Sequence, residues 1–388
     1  MVPKGWMLKQ LSDIVKEKIS YGIVQAGPHI PNGIPYIKSS DIRGAIDPAS
    51  LQRTAPEIHY KYRRSAVHPG DIIFSLRGNI GETAIVPSNL LEANLTQGTA
   101  RISVSGDQCN EFYHQQFAMD KLRNYINSLS KGSTFKEISL EELRKVKVLC
   151  APLPEQKKIA QILSTWDKAI TVTEKLLVNS QQQKKALMQQ LLTGQKRLLD
   201  ENGVRFSGEW VYLTFDNAFI VANKKSTQVK SSDYLQSGSI PIIDQGQSRI
   251  AGYCNNLEVY SDVPVIVFGD HTRCVKWIEF VFCPGADGTQ VIKTSKILEP
   301  KLGYYLLSNT DIPNLGYSRH MRELKEKDFR LPLDIKEQQK IAAVLSAADA
   351  EISTLEKKLA CLRDEKKALM QQLLTGKRRV KVDEAVAE

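Results

Sequence analysis

Apolar residues recur every three or four positions in two stretches of this chain, and elsewhere they gather in short runs. In the second stretch they fall at Leu345, Ala348, Ile352, Leu355, Leu359, Leu362, Leu369 and Leu373, with Lys366 filling the one missing slot. The first stretch gives Leu163, Trp166, Ile170, Thr173, Leu177, Ser180, Lys184, Leu187 and Leu191 at the same phase. Alternating steps of three and four are the period of a heptad seam, so both stretches read as long helices. Each would run about 38 residues, or about 57 Å at ~1.5 Å per residue. Gly194 and Gly376 suit the first position past each helix, and Lys196–Arg197 and Lys377–Arg379 sit favourably beside the negative helix end. Pro152 and Pro154 mark the entry to the first helix, and Asp334 is a candidate cap for the second.

The two stretches are copies of one another. Glu155–Arg197 aligns with Glu337–Arg379 without a gap, at a constant offset of 182 residues, and KKALMQQLLTG is identical at Lys184–Gly194 and Lys366–Gly376. Chance does not give an eleven-residue identity, so the chain carries a duplication. A single seam of this length needs a partner. The economical one is the other copy packed antiparallel, which would pair Leu163, Trp166, Ile170, Leu177, Leu187 and Leu191 with Leu345, Ile352, Leu355, Leu359, Leu369 and Leu373. The alternative is two separate amphipathic helices on globular cores. Lys184 and Lys366 in the seam would cost stability and fix register, or snorkel outward.

Between the helices lie two strand-rich blocks, about residues 1–153 and 198–335. The first has GDIIFSLRG at Gly70–Gly78, Thr83–Pro87 and Ala100–Val104; the second has Ser239–Asp244, Val263–Asp270 and Trp277–Cys283. Short β-rich runs parted by Gly, Pro and Asn predict sheets with tight turns. A helical stretch follows in each, Glu111–Asn127 and Lys301–Asn309. The blocks resemble each other only faintly, through Trp6 and Trp210 near their starts and a Gly-containing loop before each helix. The predicted class is α+β, with two divergent heads alternating with a duplicated scaffold that holds two readers at a fixed spacing.

Composition narrows the function. The chain has 388 residues, 42 % apolar and 25 % charged, which fits two or three ordinary domains. No apolar run is long enough to span a membrane. Lys4 and Lys9 have no apolar stretch behind them, so a secretory signal is not expected. The six cysteines form no CxxC pair and are read as reduced, in a cytoplasmic protein. The net charge of +10 suits a polyanionic partner without proving one.

No enzyme motif emerges: there is no GxxxxGK[ST] loop, GxGxxG, HExxH or Asn-Pro-Pro-aromatic stretch. His271 with Cys254, Cys274 and Cys283 lacks the paired spacing of a zinc site, and nothing orients Asp270–His271 towards Cys274 as a nucleophile. Neither metal nor cofactor is expected on the chain. Polar and basic residues at strand ends are plentiful instead. The candidates are Lys38, Ser40, Arg43, Lys61, Arg77, Asn79, Thr96, Gln97, Lys131 and Ser133 in the first block. In the second they are Gln245, Gln247, His271, Arg273, Thr289, Gln290, Arg319 and His320. Arg, Lys, Asn and Gln read base edges, and Lys, Ser and Thr hold phosphates. Any one of them singly fits an ordinary solvated loop; their recurrence at strand ends in both blocks points to DNA.

These features resemble the specificity (S) subunit of type I restriction–modification systems. The likeness rests on LCAPLPEQKKIAQIL at Leu149–Leu163 and LPLDIKEQQKIAAVL at Leu331–Leu345, on KKALMQQLLTG in both helices, and on PGDIIFSLRGNIG at Pro69–Gly81. The Pro-Leu-Pro pattern departs slightly at Lys336-Glu337-Gln338. The resemblance covers essentially the whole chain. It implies target recognition domains at 1–153 and 198–335, a central conserved helix at 154–197, a C-terminal conserved helix at 336–379 and a tail at 380–388. Each domain would read one half of a bipartite, asymmetric site in double-stranded DNA. The paired helices would set the spacer and dock two methylation (M) subunits, which bind S-adenosylmethionine. Restriction (R) subunits using ATP and Mg would join that core, leaving this chain non-catalytic. A two-headed DNA-binding regulator, a structural coiled-coil protein, or an S-like subunit of another restriction class would share parts of this pattern.

Overall fold

The computed structural model describes residues 2–132, 136–314, 316 and 318–382. The chain divides into two compact units, Met1–Thr173 with Lys358–Glu388, and Glu174–Lys357. Both boundaries fall inside the long helices, so each unit holds one head and half of each helix.

The first head contains β1 (Met7–Gln10), β2 (Ser20–Tyr21), β3 (Ile34–Ile37), β4 (Arg53–Thr54), α1 (Pro56–Lys61), β5 (Ile72–Ser75), β6 (Thr83–Ile85), β7 (Asn94–Leu95) and β8 (Thr99–Ile102). It continues through α2 (Asn110–Phe117), α3 (Asp120–Ser128), α4 (Leu140–Lys145) and β9 (Lys147–Cys150) into the long helix α5 (Leu153–Leu192). The second head has β10 (Trp210–Thr214), α6 (Phe215–Ala218), β11 (Phe219–Val221), β12 (Ile240–Ile243), β13 (Gly252–Cys254), β14 (Val265–Gly269), β15 (Val275–Ile278), β16 (Cys283–Pro284) and β17 (Thr289–Thr294). Then come α7 (Pro300–Ser308), α8 (Met321–Lys325), β18 (Asp328–Pro332) and the long helix α9 (Ile335–Leu373).

The heads share one topology although their sequences barely match. In the first, the described strands form sheets β1-β9, β2-β8-β5-β6 and β4-β3-β7; in the second they form β10-β18, β11-β17-β14-β15 and β13-β12-β16. Even the parallel pairing recurs, β3 with β7 and β12 with β16. Alternating or fully apolar runs bury these strands, whereas their loop residues are free to differ. The helical stretch expected over Glu111–Asn127 is broken instead at Met119, whose ψ of 129° lies outside the helical region.

The long helices start and stop where their capping residues require. Asp334 Oδ1 accepts the Lys336 N–H at 2.8 Å, satisfying an orphan donor of α9. At the C-termini Gly194 and Gly376 adopt φ of 71° and 67°, which only glycine enters without strain. The seam positions from Leu163 to Leu191 and from Leu345 to Leu373 are buried or partly buried. Leu163 and Leu373 join Trp6, Phe74, Phe112 and Phe117 in the main core of the first unit. Leu191 and Leu345 join Phe215, Phe219 and Phe329 in that of the second. Each fully buried apolar side chain contributes about 1.5–3 kcal/mol, so the shared cores fix each head firmly to its helix ends.

Lys184 and Lys366 neither sit unpaired in the seam nor turn outward to solvent. Lys366 Nζ meets Asp167 Oδ1 at 2.5 Å, and Lys184 Nζ meets Asp349 Oδ1 at 2.5 Å. Trp166 Nε1 donates to Glu365 at 3.2 Å and Ser180 Oγ to Glu351 at 3.1 Å. The middle of the pairing is therefore polar as well as apolar. Among the described residues, no helix is long and apolar enough to cross a membrane.

Candidate nucleic-acid interface

A duplicated clamp holds each head. The first Glu-Gln dipeptide of α5 is buried: Glu155 accepts a bidentate pair from Arg379 at 2.6 and 2.7 Å, and Trp6 Nε1 donates to it at 3.0 Å. Its counterpart Glu337 accepts from Arg197 at 2.5 and 2.7 Å. The neighbouring glutamines act on backbone: Gln156 accepts the Cys109 N–H at 2.9 Å, and Gln338 accepts the Glu299 N–H at 2.7 Å. Those amides stand just before α2 and at the start of α7, so the dipeptide orients the helix that follows each main sheet. Buried carboxylates require such partners.

From that base, four loops converge at one end of each head. In the first, the loop after β3 meets the β7–β8 loop through Thr96 N–H to Ile37 O at 3.1 Å. Leu76 N–H binds Gly98 O at 2.9 Å, and Ile138 N–H binds Leu76 O at 3.1 Å, adding the loops after β5 and before α4. The second head repeats all three contacts: Gly285 N–H to Ile243 O at 2.8 Å, Asp270 N–H to Gly288 O at 2.7 Å and His320 N–H to Asp270 O at 2.8 Å. The candidates Lys38, Ser40, Arg77, Asn79, Thr96, Gln97 and Lys131 lie on these loops in the first head. Gln245, Gln247, His271, Arg273 and Arg319 lie on them in the second. Lys61, at the end of α1, is exposed outside the cluster, and Arg43 is exposed beyond the turn that Asp41 closes on Lys38 N–H at 2.9 Å.

The side chains divide by role. Ser40, Arg77, Asn79, Lys131, Gln247 and Arg319 are exposed. Arg77 is oriented by Glu137 at 2.8 Å, and Lys131 and Glu137 exchange reciprocal backbone bonds. Gln245 Oε1 accepts the His271 N–H at 3.1 Å, and His271 Nδ1 lies 3.1 Å from Ser318 O. Arg273 adopts φ of 61° and donates to Ile312 O at 2.8 Å, which ties two loops together. Gln290 accepts from Asn223 at 2.6 Å beside the cluster. Two candidates face inward. Thr289 is 3 % exposed and His320 1 %, the latter with Nδ1 at 2.9 Å from Asp270 O. Thr289 opens β17 opposite Gly269, and its hydroxyl oxygen is buried. These two support the surface and do not form it. Ser133 lies outside the described residues.

Lys276 is not among the residues the sequence singles out, and Asp270 is weighed there only as a neighbour of His271. Lys276 on β15 donates to the carbonyls of Asp244 and Ser248 at 2.7 and 2.6 Å, holding the Gln245–Gln247 loop, and burial lowers its pKa. Asp270 Oδ1 accepts the Met321 N–H at 2.7 Å, anchoring the start of α8. A buried lysine amid an apolar strand carries no local pattern that announces its partners. The resulting surface offers several donors and acceptors on rigid strand ends, the equipment for reading groove edges. Among the described residues, no group of His, Cys, Asp and Glu is arranged to hold a metal.

The family description "Type I restriction modification DNA specificity domain" matches residues 3–179. The chain is similar to the type I restriction enzyme EcoBI specificity subunit of Escherichia coli, at 28 % identity over 42 % of this chain and 35 % of that protein. That match therefore spans about a third of the relative's length. A Methanocaldococcus jannaschii protein assigned as the MjaX type I restriction specificity subunit is 26 % identical, over 98 % of this chain and 95 % of its own. In fold, the crystal structure of a type I restriction–modification S subunit from M. genitalium covers 96 % of this chain and 99 % of that one, with a TM-score of 0.66 at 15 % identity. Residues 3–179 thus match the type I restriction–modification DNA specificity domain, and along nearly its whole length the chain is similar to a type I restriction specificity subunit.

Proposed function

We propose that this chain is the DNA sequence-specificity subunit of a type I restriction–modification complex. Each head reads one half of a bipartite, asymmetric target in double-stranded DNA, and the intervening base pairs are spanned without being read. The observation that carries this reading is the recurrence of the same four loops, joined by the same three hydrogen bonds, with different side chains in each head. One scaffold with two dissimilar reading surfaces gives an asymmetric site. Catalysis belongs to partners: two M subunits with S-adenosylmethionine, and R subunits with ATP and Mg. The chain works in the cytoplasm, where the DNA is. The segments act as recognition domains at 1–153 and 198–335, separated by the conserved helices at 154–197 and 336–379.

Co-expression with the cognate M subunit, followed by mapping of methylated sites, tests the reading. Exchanging residues 1–153 for an unrelated head should change one half-site and leave the other. Arg319→Ala should relax one position of the half-site read by the second head, at a cost of about 1–3 kcal/mol. A head exchange that altered both half-sites in a folded complex would overturn the two-reader reading. So would methyl transfer by the chain alone.

A further inference from the structure

Four cations crowd one cleft of the first head. Lys18, Arg64, Arg101 and Arg144 line a space of about 500 Å³, and among its described lining residues Glu17 is the one carboxylate. The cleft is built rather than accidental. Arg101 is buried, donates to Ala66 O at 2.5 Å and pairs with Glu17, whose side chain is 54 % exposed. The backbone of Arg64 is held from the other side, where Ser20 Oγ donates to Arg64 O at 3.2 Å. Among the described residues nothing partners the Arg64 guanidinium. Arg144 donates to Ile19 O, and its Nε–H is buried without an acceptor, so donor capacity there is unspent.

The fold does not require this gathering of charge. Arg101 stands on β8 opposite Ile73, and the equivalent place on β17, opposite Val267, is the buried Val291. A valine satisfies that position with no desolvation cost, whereas a buried guanidinium needs partners and repels its cationic neighbours. Cations collected against folding energetics mark an anion site, and guanidinium forks fit phosphate oxygens. The cleft also abuts the converging loops. Gly22 N–H binds Thr96 O at 3.2 Å, and Gln97 N–H binds Ile23 O at 2.9 Å, just past the lining residue Tyr21. Exposed Lys61 and Arg63 extend the basic segment that carries Arg64.

We propose that this cleft grips a backbone phosphate of the DNA beside the first half-site, giving the first head a sequence-independent anchor built on a buried arginine that the second head lacks. The inference rests on the functional reading above, which brings DNA to the neighbouring loops. It deepens that reading by assigning Arg64, Arg144 and Lys18 as phosphate donors, with Arg101 positioning the Arg64 segment through Ala66.

DNA binding by the full chain in complex with the methylation subunit tests it, measured across a range of salt concentrations. Arg64→Gln with Lys18→Gln alters two exposed side chains, so melting should be unchanged. Affinity should fall about tenfold, equally on target and unrelated duplexes. The slope of log affinity against log salt should flatten by about one to two. Ethylation interference should lose a phosphate beside the first half-site and keep those beside the second, while the methylated sequence stays the same. Arg64→Lys should retain the salt slope. A folded double variant with unchanged affinity, slope and interference pattern would overturn the proposal. Relaxed discrimination at one base pair would also overturn it, by making the cleft a base reader. So would stabilisation of the unaltered chain by inorganic phosphate that the double variant loses while its DNA affinity stays intact, which would assign the cleft to a free anion. If the unaltered complex showed no sequence-specific binding at all, the functional reading itself would fail, a result distinct from each of these.

Discussion

Lys366 places its Nζ 2.5 Å from Asp167 Oδ1, and the residues 182 positions away repeat the contact with the helices exchanged, Lys184 Nζ lying 2.5 Å from Asp349 Oδ1. Each aspartate also accepts from its own head, Asp167 from Gln115 at 2.6 Å and Asp349 from the Tyr305 hydroxyl at 2.6 Å. Head, first helix and second helix thus meet at one carboxylate in each unit. Burial and this carboxylate both hold the Tyr305 hydroxyl in its protonated, donating form by raising its pKa.

A double-mutant cycle on Asp167→Ala and Lys366→Ala should give a coupling of about 1 kcal/mol in urea unfolding. The lysine is largely shielded, but the aspartate is 42 % exposed, which keeps the value below that of a fully buried pair. Additive effects of the two substitutions would show that the pair holds nothing together.

The two arginine clamps should differ in strength. Removing Arg197 leaves the fully buried Glu337 carboxylate without its bidentate partner, at about 3–5 kcal/mol. Arg379 is 45 % exposed, and Glu155 keeps the Trp6 N–H, so Arg379→Ala should cost less, about 1–2 kcal/mol. Differential scanning calorimetry of the two variants checks the order, and equal losses would contradict it.

His114 should make the first head sensitive to acid. Burial holds its imidazole below the ordinary 6.5, Asp167 opposes that shift, Lys366 adds to it, and Glu111 opposes it. Its Nδ1 lies 3.0 Å from the Thr83 hydroxyl. The folded state keeps the ring neutral while the unfolded chain protonates near 6.5, so the unfolded state takes up more protons. The contribution is fully present above that value and is lost as pH falls from it towards the lower folded pKa. His114→Gln should flatten unfolding stability between about pH 7 and 5. An unchanged slope would place the acid sensitivity elsewhere.

Matched insertions test whether the helices act as a ruler. Four residues added between Asp167 and Lys184, and four between Asp349 and Lys366, leave both ion pairs and both head cores in register. Each helix lengthens by about 6 Å, with about 40° of extra turn. Duplex DNA rises about 3.4 Å per base pair, so the preferred spacer should grow by one or two base pairs. A heptad seam absorbs a four-residue stutter locally. Methylation mapping should show the same half-sites further apart; an unchanged spacer in an active complex would show that the helices do not set it.

The sequence alone determined the long helices, their ends and their duplication, because a heptad seam and a helix cap are local patterns. Leu163, Leu191, Leu345 and Leu373 announce their buried face by spacing, and Gly194 and Gly376 announce the stops. It also marked most of the converging loops, because strand ends rich in Arg, Gln and Asn stand out between apolar runs. Contacts between distant segments were decided by the tertiary structure. Asp167 and Asp349 read as ordinary surface acids until the fold brings Lys366 and Lys184 across to them. Thr289 and His320 look like loop residues until the fold buries them. The shared topology of the heads was hidden because burial requires only apolar residues of suitable size, which many sequences supply. Pairing and register depend on partners far along the chain, and no local spacing records them.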